Sequence, residues 1–224
     1  MLASAPTPSD IPSVISVDAL SDRATALGFS LTEQAASGLA AYLGLLMKWN
    51  KVMNLVGTSS WTDTLDSLVV DSFHLAAFLR DAALPDNPVS WDLGAGAGLP
   101  GIPLRLVWRD GSYTMVEARE KRALFMRTVL SSLDLGHTSV FQGRAEAFFR
   151  RSGQADLIIS RAFMPWRDML AFIENALAPK GRVVFLTLSP VPEDLPGDWH
   201  LAGQKAYVAA GKERYFWCLC REAA

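Results

Sequence analysis

The chain has 224 residues, half of them apolar and a fifth charged, with a net charge of −2 at pH 7. These values predict one large globular domain, alone or with a small accessory part, and argue against a general nucleic-acid coat protein. No apolar run approaches the ~20 residues of a membrane helix, and no secretory signal is visible. Cys218 and Cys220 have the spacing of neither a disulfide framework nor a zinc site. We therefore expect a cytoplasmic protein that binds neither membrane nor metal.

Positive charge is concentrated between residues 100 and 170, which hold 11 Lys and Arg against 7 Asp and Glu. Ten of these 11 cations are arginine. Arginine suits phosphate and guanine better than lysine does, because its planar guanidinium makes paired hydrogen bonds. The segment therefore suits nucleic-acid binding, although ordinary exposed helix faces would carry the same charge surplus.

The N-terminal third of the chain predicts a helical subdomain over residues 16–84, after a disordered, proline-containing leader over 1–15. Ser30 and Glu33 have the spacing of a capping box, and apolar residues recur at helical intervals after them. A second helix is predicted over 61–79. The linker 84–88, Leu-Pro-Asp-Asn-Pro, ends this part of the chain.

From residue 89 to the end, strand-like and helix-like segments alternate, which is typical of a parallel sheet covered on both faces. Residues 178–181, Ala-Pro-Lys-Gly, are predicted to stop the last helix. Five such strands and a terminal hairpin would make a Rossmann-like, seven-stranded α/β sheet, an arrangement associated with S-adenosylmethionine-dependent methyltransferases. The predicted strands are 89–93, 113–117, 139–141, 156–160, 183–188, 204–209 and 214–220, and the predicted helices are 100–108, 121–135, 146–150 and 169–177.

A glycine-rich turn follows the first strand, which ends at Asp92. Residues 96–101 satisfy G-x-G-x-x-G, and Glu117 follows at the distance of a ribose-binding acid, so a nicotinamide dehydrogenase is one interpretation. However, the turn already begins at Gly94, and Pro100 removes an N–H that would bind a pyrophosphate. S-adenosylmethionine carries no phosphate and is favoured: Asp92 would accept from its ammonium group and Glu117 from its ribose hydroxyls.

Two later segments follow the third and fourth strands. Ala145 and Glu146 stand where an adenine would lie, with a backbone N–H for a ring nitrogen and a carboxylate for the exocyclic amine, although Glu146 also suits a helix cap. Arg161 ends the fourth strand, where the transferred methyl group would be. It would orient a guanine edge or a phosphate, or else form a structural ion pair.

Together these motifs resemble the GidB/RsmG family, bacterial methyltransferases that act on a guanine N7 of small-subunit ribosomal RNA. The resemblance covers roughly residues 30–190, and Gly-Ala-Gly-Leu-Pro-Gly-Ile-Pro with Ser-Arg-Ala-Phe is its most specific part. The matching segments are Trp49-Asn50-Lys51, Asn54-Leu55, Asp71-Ser72, 92–104, Lys121-Arg122, Phe125, Arg144-Ala145-Glu146 and Ser160-Arg161-Ala162-Phe163.

The resemblance implies a methyltransferase domain over 89–224, S-adenosylmethionine as cofactor, and small-subunit ribosomal RNA or the 30S particle as partner of a monomeric enzyme. Guanine N7 has an exposed lone pair, so its methylation needs no general base; Arg161 is then the expected catalytic, orienting residue. We expect Arg119, Lys121, Arg122 and Arg127 to contact RNA phosphates, unless they form only a solvated helix face. The expected donor-binding residues are Asp92, Gly94, Gly96, Gly98, Leu99, Glu117, Ala145, Glu146 and Arg161.

The sequence departs from the family pattern at two places. The family usually has Arg-His where this chain has Ser67 and Leu68, and it tends to have Lys-Gly where this chain has Leu188 and Ser189. Both departures remove positive charge thought to face the substrate. Two alternatives therefore stay open: a methyltransferase with a small-molecule or protein substrate, and a donor-binding protein with weakened RNA activity.

Overall fold

A computed structural model describes residues 15–221. The leader predicted over 1–15 lies outside the described residues except for Ile15, which is buried in the core. Within the described range, no helix is long and apolar enough to cross a membrane.

The helices begin and end close to the sequence-based expectations. Four helical segments precede the sheet: α1 (Val17–Ala26), α2 (Glu33–Met53), α3 (Trp61–Thr64) and α4 (Val70–Arg80). A π-helical turn, Leu65–Val69, joins α3 to α4, so the helix predicted over 61–79 is present but is interrupted by one wide turn. The remaining helices alternate with the strands: α5 (Gly101–Val107), α6 (Glu120–Ser132), α7 (Ala145–Phe149) and α8 (Trp166–Ile173).

Seven strands form one sheet in the order β3-β2-β1-β4-β5-β7-β6. The first five strands are parallel, and the C-terminal hairpin adds β7 antiparallel to β5. The predicted Rossmann-like α/β fold is therefore confirmed. The strands are β1 (Val89–Leu93), β2 (Ser112–Glu117), β3 (Thr138–Gln142), β4 (Ala155–Arg161), β5 (Leu177–Thr187), β6 (Trp199–Ala209) and β7 (Lys212–Arg221).

Buried side chains form two clusters, one on each face of the sheet. The N-terminal helices, α5 and α6 cover one face, and α7 and α8 cover the other. In β1, Trp91 and Leu93 belong to the α7–α8 side, so the alternating Asp92 points to the side of the N-terminal helices. β2 and β3 lie on one side of β1, and β4 and β5 lie on the other side, so the order of the strands reverses between β1 and β4. In such sheets ligands bind at the carboxyl ends of the strands where the order reverses.

Two local predictions were wrong. Thr32, not Ser30, caps α2: its hydroxyl accepts from the Ala35 N–H at 3.2 Å, so Glu33 stands in the first helical position rather than the third. Residues 178–181 do not stop a helix, because α8 already ends at Ile173 and β5 begins at Leu177. They form a bulge instead, where the pairing of β4 with β5 shifts and a proline is tolerated.

Candidate functional site

The glycine turn after β1 has a backbone that only glycine adopts without strain. Gly94, Gly96 and Gly98 have φ of +74°, +61° and +78°. A Cβ on Gly94 would lie 2.6 Å from the Phe163 ring, so a side chain has no room there. The turn thereby keeps its backbone close to the space above the strand ends.

Glu117, the last residue of β2, fixes the open side of this turn. One carboxylate oxygen accepts from the Gly96 N–H at 2.9 Å, and the other accepts from the Arg119 N–H at 2.8 Å. Glu117 is itself buried. The carboxylate is therefore held in one orientation by two backbone donors, while its remaining lone pairs stay available to a ligand.

The N-terminal helices hold the other side of the turn. Tyr42 of α2 donates to the Ala97 carbonyl at 2.9 Å, and Ser72 of α4 donates to the Pro100 carbonyl at 3.0 Å. Both bonds are buried. Burial also raises the pKa of Tyr42, so its hydroxyl stays a neutral donor at physiological pH.

Asp92 lies beneath the turn rather than in the open space above it. It is 1% exposed, and its carboxyl group accepts from the Tyr113 hydroxyl at 3.2 Å and from the Gly101 N–H. Burial raises the pKa of Asp92 to about 7, although these two hydrogen bonds oppose the shift. In this arrangement Asp92 supports the turn and is closed off from a ligand above it.

A cavity of about 410 Å³ opens above the carboxyl ends of β1, β2, β3 and β4. This volume lies in the range of small-molecule sites. The cavity brings together four of the expected donor-binding residues from three separate loops. Its lining consists of Gly94, Val116, Glu117, Ala118, Arg119, Arg122, Gly143, Arg144, Ala145, Glu146, Ala162 and Phe163.

The other expected donor-binding residues lie outside this lining. Gly96, Gly98 and the buried Leu99 form the adjoining part of the turn. The guanidinium of Arg161 is directed toward α4, where its Nη2 lies 3.3 Å from a carboxylate oxygen of Asp71. The sequence allowed two roles for Arg161, and one of them, the structural ion pair, is therefore present.

Of the four cations expected to contact RNA, two line the cavity and two do not. Arg119 and Arg122 stand at its wall, whereas Lys121 and Arg127 are exposed on α6. Within residues 15–221, the guanidinium groups of Arg119, Arg122 and Arg144 have no hydrogen-bond or ion-pair partner. These three cations are thus free to meet an anionic ligand.

Sequence reasoning missed two features of the site. Phe163, which closes over Gly94, stands in the Ser-Arg-Ala-Phe motif, and that motif was the one signal that marked it. Asp71 was visible as part of a motif, but nothing in the sequence indicated that it would meet Arg161 across 90 positions.

The two departures from the family pattern lie at separate places. Ser67 and Leu68 are in the π-helical turn before α4. Leu188 follows β5 and is 69% exposed, and the Ser189 carbonyl accepts from the Trp217 indole N–H at 3.0 Å.

Two larger cavities, of about 530 and 610 Å³, lie elsewhere. The first is lined by the end of α4 and the residues after it, by Arg182 in the middle of β5 and by residues of β6, and the second by the end of α2 and the loop after it. Neither lies at the carboxyl ends of the parallel strands, where ligands bind in sheets of this kind. Position, rather than volume, therefore makes the cavity above β1 to β4 the candidate ligand site.

In sequence, the chain is similar to proteins of one named family. A family model described as "GidB: rRNA small subunit methyltransferase G" matches residues 35–193. A protein of Nitratidesulfovibrio vulgaris named ribosomal RNA small subunit methyltransferase G is 56% identical over 192 residues, which cover 86% of this chain and 88% of the relative. A protein of the same name in Lawsonia intracellularis is 48% identical over 85% of this chain and 88% of the relative.

Solved structures share the fold at low sequence identity. A mutant of MtNAS in complex with S-adenosylmethionine matches with a TM-score of 0.56 and 17% identity, over 95% of this chain and 86% of that one. The putative methyltransferase yhhF of Escherichia coli matches with a TM-score of 0.55 and 20% identity, over 71% and 90%. These likenesses support the sheet topology alone.

Proposed function

The chain belongs to the GidB family, rRNA small subunit methyltransferase G, and we propose that it transfers the methyl group of S-adenosylmethionine to N7 of a guanine in small-subunit ribosomal RNA. The observation that carries this proposal is the cavity that joins Gly94, Glu117, Ala145 and Glu146 above the strand ends. Those are the positions that the family resemblance and the glycine turn assigned to the methyl donor.

The residues of the cavity fit S-adenosylmethionine. Glu117 is buried and held by two N–H groups, so it presents fixed lone pairs to the ribose hydroxyls. Ala145 and Glu146 begin α7 and offer N–H and carboxylate groups to the adenine. Gly94 lines the cavity, where its backbone would face the methionine part, and the turn from Gly96 to Leu99 adjoins it.

Bound S-adenosylmethionine would supply an electrophilic methyl group on its sulfonium sulfur. The attacking N7 lone pair carries no proton, so the protein needs to position the guanine and exclude water rather than to remove a proton. His74 is unsuited to remove a proton, because burial lowers its pKa to about 4 and its ring packs between Phe29 and Tyr207. We assign Arg161 the role of orienting the guanine or a neighbouring phosphate.

We further propose that the four cations of α6 and its N-terminus contact the RNA backbone. Arg119 and Arg122 line the cavity, so they would hold phosphates near the target base, whereas Lys121 and Arg127 would hold phosphates farther along the strand.

In the same proposal the enzyme acts in the cytoplasm as a monomer and without a metal ion. Chelation of divalent cations should then leave methyl transfer to naked RNA unchanged.

Transfer of radiolabelled methyl groups tests the proposal. The full chain is incubated with labelled S-adenosylmethionine and either 30S particles or naked small-subunit RNA, both from cells that lack this modification. The expected product is 7-methylguanosine at one position, identified by nuclease digestion and chromatography. Donor binding without transfer to either RNA would contradict the proposal and favour another substrate or a binding protein without activity.

A further inference from the structure

Arg161 is held at the carboxyl end of β4 by a carboxylate that comes from a different part of the chain. Its Nη2 lies 3.3 Å from an oxygen of Asp71, which is in the first turn of α4. The side chain of Asp71 is 3% exposed and that of Arg161 is 23% exposed. The ion pair is therefore shielded from bulk water on the side of Asp71 and open on the side of the arginine.

The C-terminal hairpin supplies the other hydrogen-bond donors to the Asp71 carboxylate. Arg214 Nη1 lies 2.7 Å from each oxygen of Asp71, and the Tyr207 hydroxyl donates to one of them at 2.9 Å. Tyr207 and Arg214 are directly opposite each other in the β6–β7 pairing, so their side chains leave the hairpin on the same face. Asp71 thus joins the end of β4 to the hairpin across β5.

This cluster, Asp71, Arg161, Tyr207 and Arg214, holds two guanidinium groups and one carboxylate, a surplus of one positive charge. Among residues 15–221, Asp71 is the one carboxylate paired with either arginine. Arg161 Nη1 and Arg214 Nε are buried and have no hydrogen-bond partner there. Such a cluster is a costly way to fill space, because apolar side chains of similar volume often give equal or greater stability.

We propose that Asp71 is a positioning residue for methyl transfer: with Tyr207 and Arg214 it fixes the guanidinium of Arg161 beside the donor cavity. This inference rests on the proposed function, in which Arg161 orients the guanine or a phosphate. The next residues support the assignment, since Ala162 has a left-handed φ of 52° and Phe163 lines the cavity. The chain thus turns sharply from the cluster into the cavity within two residues of Arg161.

A double-mutant cycle tests this inference. Asp71→Asn and Arg161→Ala are each expected to lower kcat/KM for RNA about 100-fold, the scale of loss that follows a misplacement of about 1 Å. In the Arg161→Ala background, Asp71→Asn should lower kcat/KM by less than about 3-fold, because contacts that act as a unit are not additive. Losses that multiply in the double variant would overturn the inference, since a merely structural Asp71 acts independently of Arg161.

Two milder variants keep the test valid where Asp71→Asn fails to fold. Arg214→Lys keeps the charge but loses the guanidinium geometry, and Tyr207→Phe loses one hydroxyl. Each should lower kcat/KM about 3- to 10-fold in the wild-type background and leave it unchanged in the Arg161→Ala background. Unchanged kcat/KM for both variants in the wild-type background would overturn the inference.

A matched control is available on the same hairpin. Asp198 accepts from Arg221 Nε at 2.7 Å near the opposite end of β6, so Asp198→Asn also removes one carboxylate from one arginine. Its kcat/KM should equal that of the wild type.

Side-chain NMR reports on the same inference without turnover. In a sample labelled at arginine nitrogen, the Nε–H signal of Arg161, identified by its loss in Arg161→Lys, should be rigid in the wild type and mobile in Asp71→Asn. Equal mobility in both would refute the positioning role. Absence of methyl transfer by the wild type would instead refute the proposed function and leave this measurement to decide the inference.

Discussion

The carboxyl edge of the sheet carries two neighbouring regions that are built in different ways. The cavity proposed for the donor consists of loops that follow β1 to β4, and its fixed elements are backbone N–H groups, glycines and one carboxylate, Glu117. The cluster around Asp71 consists of three charged side chains and one tyrosine from α4, β4 and the hairpin. The first region shapes an open space, whereas the second region fills its space.

This difference indicates what each region can do. Arginines at the wall of the cavity lack partners within the described chain, so they can exchange water for a ligand at little cost. The arginines of the cluster share a carboxylate whose loss would leave charges buried and unpaired. Binding should therefore depend on the cavity, and orientation should depend on the cluster.

The largest expected effect is that of Glu117→Ala on donor binding in the cavity. The variant removes the ribose acceptor and frees the N–H groups of Gly96 and Arg119, and each charge-assisted hydrogen bond contributes about 1.5–3 kcal/mol. The Kd for S-adenosylmethionine, measured by calorimetry, should rise by at least about 100-fold. Glu120→Ala, an exposed acid three residues later, is the control and should bind like the wild type. Wild-type affinity in Glu117→Ala would show that the donor binds elsewhere.

Asp92 interacts electrostatically with one residue of each region, Glu117 of the cavity and Arg161 of the cluster, and its titration shows whether it is as deeply enclosed as the structure indicates. The pKa of the Asp92 carboxyl group is about 7 in the folded protein, whereas its ordinary value, taken for the unfolded chain, is 3.8. Between pH 3.8 and about 7 the folded protein therefore keeps the carboxyl proton that the unfolded chain has lost. Stability from this group therefore falls as pH rises from about 4 to about 7, by at most about 1.4 kcal/mol per pH unit.

The measurement compares urea unfolding of the wild type and of Asp92→Asn across this pH range. The free energy of unfolding of the wild type, relative to the variant, should decrease with increasing pH and then stay constant above about 7. A pH-independent difference between the two proteins would mean that the carboxyl group is ionised and solvated like any other.

The smallest effect is expected where the N-terminal helices contact the glycine turn. Ser72→Ala removes the buried hydrogen bond to the Pro100 carbonyl, which should lower the free energy of unfolding by about 1 kcal/mol and weaken donor binding slightly. Ser67→Ala is matched to it, since among residues 15–221 that hydroxyl bonds only to the Asp63 carbonyl four residues earlier in the same helical segment. Equal stability of Ser72→Ala and the wild type would show that the turn keeps its shape without α4.

Several features of the fold followed directly from residue patterns, and the failures were local. Alternating apolar segments predicted the sheet, and glycines after a strand predicted the turn, because both signals depend on residues close in sequence. Ser30 is the predicted cap of α2 because its spacing to Glu33 fits a capping box, yet Thr32 is equally suitable chemically. The bulge at 178–181 contains proline and glycine, which stop helices as readily as they accommodate an irregular strand pair.

By itself, the sequence determined the family, the order of the strands along the chain and four of the residues that line the cavity above the strand ends, namely Gly94, Glu117, Ala145 and Glu146. Each of those contributions comes from a short segment whose backbone is set by its own glycines or strand end. The tertiary structure alone decided that Asp92 lies under the turn and that Arg161 meets Asp71, Tyr207 and Arg214. The ion pair between Asp71 and Arg214, 143 positions apart, forms only when α4 packs on the sheet face from which the hairpin side chains project, and no local pattern encodes that packing.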